Sequence, residues 1–210
     1  MSEDHWGRDP ALARAVDPAL AAAARWWRLH VEGAERVPRE GGVLVVANGG
    51  GPWPWTPLLV ARALPRPARL LAAERAFAVP FVSVAARRLG AVPAHPANAE
   101  RLLGEGEAVL TFVPPARGGP YRVGRFGEAD LAVRAGVPVV PCAVVGAEET
   151  GRLPWPVRWR IEFGDAIDVR PYGPGQATDR AALLEAAETV RDSIQAMVHD
   201  NLVRREGALL

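Results

Sequence analysis

From Val43 onward the chain repeats one pattern: a short run of apolar, often β-branched residues stops at Gly, Pro or Asn, and a stretch with helical spacing follows. The clearest case is Val43 to Ala47, stopped by Asn48 and the run Gly49-Gly50-Gly51. Runs this short, bounded by turn residues, read as buried strands rather than helices. The same reading predicts strands over Leu70 to Ala73, Gly90 to Pro93, Ala108 to Val113, Pro138 to Val145 and Arg158 to Phe163. Helices are predicted over Leu58 to Leu64, Phe77 to Leu89 with an interruption near Pro80, Asn98 to Glu107, Ala129 to Ala135 and Asp179 to Arg204. Strands alternating with helices require crossover connections, which implies an α/β fold: a single domain with a mainly parallel, twisted sheet covered by helices. No internal repeat is present, and Pro171 to Thr178 reads as a loop.

Ahead of this pattern lies a predicted helix, Pro10 to Val31. Asp9 is placed to cap it, Pro10 suits its first turn, and Leu12, Val16, Leu20 and Trp27 recur at helical spacing. It ends in Trp26 and Trp27, whose face packs on the core or also rests on lipid, where Trp is at home at the interface. Residues 1–30 are therefore expected to form an N-terminal helix that can face a membrane, and residues 31–210 the α/β domain. The polar start, Met1 to Pro10, lacks the basic and apolar stretches of a signal peptide, so a cytoplasmic protein is expected. No run approaches the roughly 20 apolar residues of a membrane span, which restricts membrane contact to the surface.

Composition narrows the function classes further. The 210 residues carry a net charge of +1, so there is no basic footprint for a nucleic-acid backbone, and no nucleic-acid partner is expected. Every basic residue is Arg and none is Lys. The one cysteine, Cys142, sits inside an apolar run and reads as a packed core thiol, excluding an intrachain disulfide or a multi-cysteine metal site. His5, His30 and His199 are scattered without metal-ligand spacing, and neither a metal nor another cofactor is expected.

Three segments in order carry a resemblance. Val31-Glu32-Gly33 leads into Val43-Leu44-Val45-Val46-Ala47-Asn48; Gly90-Ala91-Val92-Pro93-Ala94 precedes a helix; Gly136-Val137-Pro138-Val139-Val140-Pro141 comes last. Together these resemble the signature blocks of the glycerophospholipid acyltransferase family, of the 1-acylglycerol-3-phosphate type, over about Trp26 to Phe163. In that family the first block ends in an Asn-His pair followed by an Asp, the His acting as general base on the acceptor hydroxyl and the Asp supporting its imidazolium. Here Asn48 is followed by Gly49, and the Asp position falls on Pro54, or on Thr56 in a longer spacing. The family's Phe-Pro-Glu-Gly block with its following Arg is matched by Val113-Pro114-Pro115-Ala116-Arg117. The scaffold residues remain around lost polar positions, which implies lost chemistry in a retained fold.

On this resemblance the chain is expected to be a catalytically impaired or inactive member that binds a lipid, an acyl carrier or a protein partner, through Asn48, Gly49, Gly50, Pro115, Arg117, Tyr121 and Arg125. It would sit in the cytoplasm, peripherally on the inner face of the membrane. The alternative is an active lysophospholipid acyltransferase that draws on acyl-CoA or acyl carrier protein and works by positioning alone or with His95 as a shifted base. Against that base role, His95 reads as a solvated loop residue, with no carboxylate beside it in sequence to fix a tautomer. The glycine run lacks the Lys and Ser/Thr of a nucleotide loop and reads as a turn. Arg117, Arg122 and Arg125, with Tyr121, form a basic aromatic stretch suited to phosphate or simply to solvent. Trp53, Trp55, Trp155 and Trp159 add aromatics for a lipid or partner surface, or for the core.

Overall fold

A computed structural model describes residues 3–49, 54–78, 80–113, 127–150, 155–169 and 180–207. Its elements in chain order are α1 (Pro10–Trp26), β1 (His30–Glu32), β2 (Val43–Asn48), α2 (Trp55–Ala63), β3 (Ala68–Ala72), α3 (Pro80–Arg88), β4 (Ala91–Pro93) and α4 (Pro96–Gly104). Then follow β5 (Ala108–Val113), α5 (Gly127–Ala135), β6 (Val139–Val145), β7 (Arg160–Phe163) and a long helix α6 (Arg180–Gly207). Among the described residues the strands form one seven-stranded sheet in the order β1-β7-β6-β2-β5-β3-β4.

The central strand shows why these residues make a sheet and not a helix bundle. All six residues of β2 are buried, paired in parallel with β5 on one side and β6 on the other. A strand covered on both faces must be apolar throughout, which is the run seen in the sequence. Val43, Val45 and Ala47 join a core with α1 and α2, whereas Leu44 and Val46 join a second core with α4, α5 and α6. The domain is thus three layers with a sheet between two helical covers, and Cys142 is fully buried in the first core.

The sheet is parallel from β6 to β4, while β7 runs antiparallel to β6 and β1 pairs in parallel with β7. Parallel pairs need a crossover helix and antiparallel pairs do not. Between β6 and β7 the described residues hold no α-helix, only a single 3-10 turn at Glu148–Thr150, in keeping with that rule.

Strand β1 corrects the N-terminal reading, which carried the helix on to Val31. The helix stops at Trp26, and Arg28 turns the chain at φ +44°. Tertiary pairing overrides helical spacing here. The Trp27 ring stacks on Trp159 at 4.4 Å and 10°, and meets the edge of Trp55 at 5.7 Å. The Trp159 N–H donates to the Trp27 carbonyl at 2.9 Å, and the His30 N–H donates to the Trp159 carbonyl at 2.9 Å. Three residues after His30, Gly33 adopts φ +73°, and a Cβ there would lie 2.1 Å from the Phe163 carbonyl oxygen. Glycine is therefore required where the chain leaves β1 alongside β7. Trp27 and Trp159 are core residues, Trp55 is half-buried, and Trp26 and Trp155 are exposed at 55% and 64%.

The segment before α1 is tied down by charge. Arg69, 2% exposed on β3, forms ion pairs with Asp4 at 2.5 Å and Glu107 at 3.1 Å. Asp9 caps α1 by accepting from the Ala11 and Leu12 N–H groups, as the sequence predicts, and also receives Arg88 at 2.6 Å. The Trp6 indole donates to Glu105 at 2.8 Å, and Arg101 and His5 bond the same carboxylate.

Two predictions follow from this packing. Trp27→Ala or Trp159→Ala should each cost about 3 to 5 kcal/mol in urea unfolding, while Trp26→Ala on the surface should change stability by less than about 0.5 kcal/mol. Glu105 titrates at about 2, against an ordinary 4.5, because it accepts from Trp6 and then from Arg101. A carboxyl whose folded pKa is depressed stabilises the fold above its unfolded pKa and loses that contribution as pH falls through the folded value. The urea midpoint should therefore drop as pH falls from about 5 towards 2, and Glu105→Gln should flatten part of that slope; an unchanged slope in the variant would refute the assignment.

Candidate functional site

The carboxyl ends of the parallel strands converge at the end of β2. Helix α2 leaves β2 to cross one face of the sheet, and α5 leads from β5 to β6 across the other, so the connections part at this point. In open α/β sheets such a parting opens a crevice outside the strand ends where ligands bind.

Asn48 is the last residue of β2 and is 3% exposed. Its Nδ2 donates to the Val144 carbonyl at 2.8 Å, and its Oδ1 accepts from the Val144 N–H at 2.6 Å. The side-chain amide thus imitates a peptide group and carries the β2–β6 ladder one step past its last backbone pair, Ala47 with Cys142. On the other side the Gly49 N–H donates to the Val113 carbonyl at 2.6 Å, and Asn48 is in register with Val113. Gly49, having no side chain, therefore presents only backbone at these strand ends.

The two candidate Asp positions lie at the start of α2. Pro54 occupies its N-cap and makes no side-chain capping bond. Thr56 is 2% exposed, and its Oγ1 is buried with no hydrogen-bond partner among the described residues. Thr56 shares the stripe of α2 that carries the buried Leu59 and Val60, so its hydroxyl is the polar group of an otherwise apolar face. An unpaired buried hydroxyl is costly and calls for an explanation.

His95 stands away from this point. It follows β4, the edge strand, three strand spacings from β2, or roughly 14 Å at about 4.8 Å per spacing. It is the N-cap of α4, its Nδ1 accepting from the Ala97 N–H at 3.3 Å. It also borders a smaller cavity of about 140 Å³ that includes Thr111 and Leu131. Each remaining histidine has a different setting: His5 bonds Glu105, His30 bonds Glu32 on the outermost strand, and His199 lies exposed on α6. Cys142 is driven well above the ordinary thiol range by burial, so it has no thiolate to offer.

Gly50 and Trp53 lie outside the described residues, as do Pro115, Arg117, Tyr121, Arg122 and Arg125. The described chain reaches Val113, so Pro114 follows directly from the strand end that Gly49 touches. Sequence reading offered the Asn48 amide to a ligand and missed its bond to Val144. A polar residue closing a wholly apolar strand was the signal that could have suggested a role in strand pairing.

Comparison with known proteins agrees with this geometry. Residues 28–145, more than half of the chain, match the family described as Acyltransferase. The chain belongs to the acyltransferase family. It is 32% identical to an uncharacterized protein of Mycobacterium tuberculosis, across 97% of this chain and 70% of that protein. An uncharacterized protein of Mycobacterium leprae is 30% identical, with 96% and 68% covered. Among solved structures, the 1-acyl-sn-glycerophosphate (LPA) acyltransferase PlsC of Thermotoga maritima superposes with a TM-score of 0.66 at 20% identity, over 88% of this chain and 79% of that one. At that identity the likeness shows the fold, a single α/β domain with a mostly parallel sheet.

The Asn48 clamp makes a specific prediction. Asn48→Leu leaves both the N–H and the carbonyl of Val144 buried without partners and should cost about 2 kcal/mol or more in urea unfolding. Asn48→Asp keeps the acceptor but turns a carboxylate oxygen towards the Val144 carbonyl, and should be at least as damaging at neutral pH. Unchanged stability in both variants would show that the clamp is not structural.

Proposed function

We propose that this acyltransferase-family chain is catalytically impaired or inactive, and that it binds a lipid, an acyl carrier or a protein partner through the crevice at the ends of β2 and β5. The reading rests above all on Gly49. At the point where the family places its general base, the chain has a glycine whose N–H is bonded to Val113 and which has no side chain to accept a proton. Removing a positioned base ordinarily costs about 100 to 10,000-fold in rate.

The setting of His95 supports the same reading. A neutral imidazole that accepts at Nδ1 carries its proton on Nε2, so the ring nitrogen with a free lone pair is already occupied by the helix cap. The unpartnered Thr56 hydroxyl at the start of α2 is suited to hydrogen-bond a ligand's hydroxyl or carbonyl, a binding role that needs no proton transfer.

The proposal includes residence at the inner face of the cytoplasmic membrane. Trp26 and Trp155 are both exposed, and the Trp155 carbonyl accepts from the Trp27 indole at 3.1 Å, which sets Trp155 near the end of the helix that carries Trp26. Full burial of such side chains is worth about 1.5 to 3 kcal/mol each, enough only for reversible attachment. No described helix is long and apolar enough to cross a membrane.

The decisive assay offers acyl-CoA and acyl carrier donors together with lysophospholipid acceptors to the purified chain, with native mass spectrometry to detect bound lipid. Transfer should not exceed background. Turnover in the wild type that disappears in His95→Ala would overturn the proposal in favour of a shifted base, and turnover that survives His95→Ala would favour catalysis by positioning. In liposome cosedimentation, the double variant Trp26→Ala, Trp155→Ala should bind several-fold less than wild type; equal binding would sink the membrane part.

A further inference from the structure

At the opposite ends of the strands lies a second cavity, of about 360 Å³, between α1, α2 and the start of β3. Its walls are apolar and polar in nearly equal measure, the apolar part coming from Val16 and Leu20 of α1, Leu58 of α2, and Leu89 in the turn before β4. Four charged side chains face it: Arg8, Arg62, Arg66 and Asp17. Asp17 is paired with Arg62 at 2.7 Å, and both are well exposed at the rim. Arg66 donates to the carbonyls of Gly41 and Gly106 at 2.7 and 2.5 Å, so it is held by neutral acceptors while its charge is unmatched there.

Arg8 is the anomaly. It lies across Gly90, its Nε 3.8 Å from where a Cβ of that glycine would be. That Nε is buried with no acceptor, and among the described residues its guanidinium has no ion pair or hydrogen bond. The nearby carboxylates, Asp4 and Glu107, both bond Arg69 instead. Burial, and then the Arg69 charge, hold Arg8 below the usual arginine range. A guanidinium is built to be satisfied by the two oxygens of a carboxylate or phosphate, and buried donors are rarely left unpaired.

We infer that this cavity is a binding site for a single-chain amphiphilic anion, whose carboxylate or phosphate head is taken by Arg8 with Arg66 behind it and whose alkyl chain lies against α1 and α2. The volume is at the lower end for a small-molecule site, which suits one chain of medium length rather than a two-chain lipid. The site stands at the amino ends of the strands and shares no residue with the crevice at Gly49. Either can therefore fail without the other.

Calorimetry on the purified full chain tests it with decanoate, decyl phosphate, decanol and inorganic phosphate, each below its aggregation threshold. Decanoate or decyl phosphate should bind with one-to-one stoichiometry, at least 10-fold tighter than decanol and inorganic phosphate; the tighter of the two anions identifies the head group. Arg8→Gln should weaken that binding by about 10-fold or more, with Arg8→Lys recovering part of it. Ala13→Phe, which narrows the cavity from the α1 side, should weaken binding while leaving the head-group arginine in place. The inference is overturned if neither anion binds, if decanol or inorganic phosphate binds as tightly as the anions, or if folded Arg8→Gln and Ala13→Phe both bind like wild type.

Discussion

The pairing of Asn48 with Val144 is the interaction on which the geometry of the crevice depends. It sits where the central strand ends, between a ladder that must continue and a loop that must begin. Because the amide supplies both a donor and an acceptor, β6 stays registered to β2 for one further step without a further backbone pair. The Gly49 N–H then binds β5 on the other side. Three strand ends are thereby held in fixed relation before the chain turns away. A crevice at a parting of crossovers has a definite shape only if those ends are held, and here one amide side chain and one glycine N–H hold them.

Much of this architecture was readable from residues alone. The apolar run Val43 to Ala47 announced a strand covered on both faces because no other setting tolerates such a run beside a glycine turn. Ala108 to Val113 was placed to the residue for the same reason. The misreadings share a cause. His30 and Val31 were taken into α1 because the residues before them have helical spacing, and only the distant Trp159 and Arg160 make a strand of them. For Trp27 both core and lipid stayed open, and the Trp159 ring that decides the matter is remote in sequence. Asn48 was offered to a ligand on the resemblance alone, and its described partner, 96 residues away, was not foreseen. Local pattern fixes which segments pair or coil; it does not say which remote group a single polar side chain will meet.

The two ends of the sheet differ in how they are held. At the amino ends, Arg69, Asp4, Glu107, Arg88 and Asp9 form a partly buried ionic cluster that pins the segment before α1. Breaking such a cluster by removing one partner leaves a charge without compensation, which is strongly unfavourable. At the carboxyl ends of β2 and β5 the described contacts are backbone bonds and the Asn48 amide, whereas just past β6 Arg205 pairs with Glu149. The more deeply buried ionic anchoring, on Arg69 and Asp9, lies at the end remote from the crevice. On the reading proposed above, position 49 can lack a side chain in an intact fold because its described tie to β5 is made by the backbone N–H and not by a side chain.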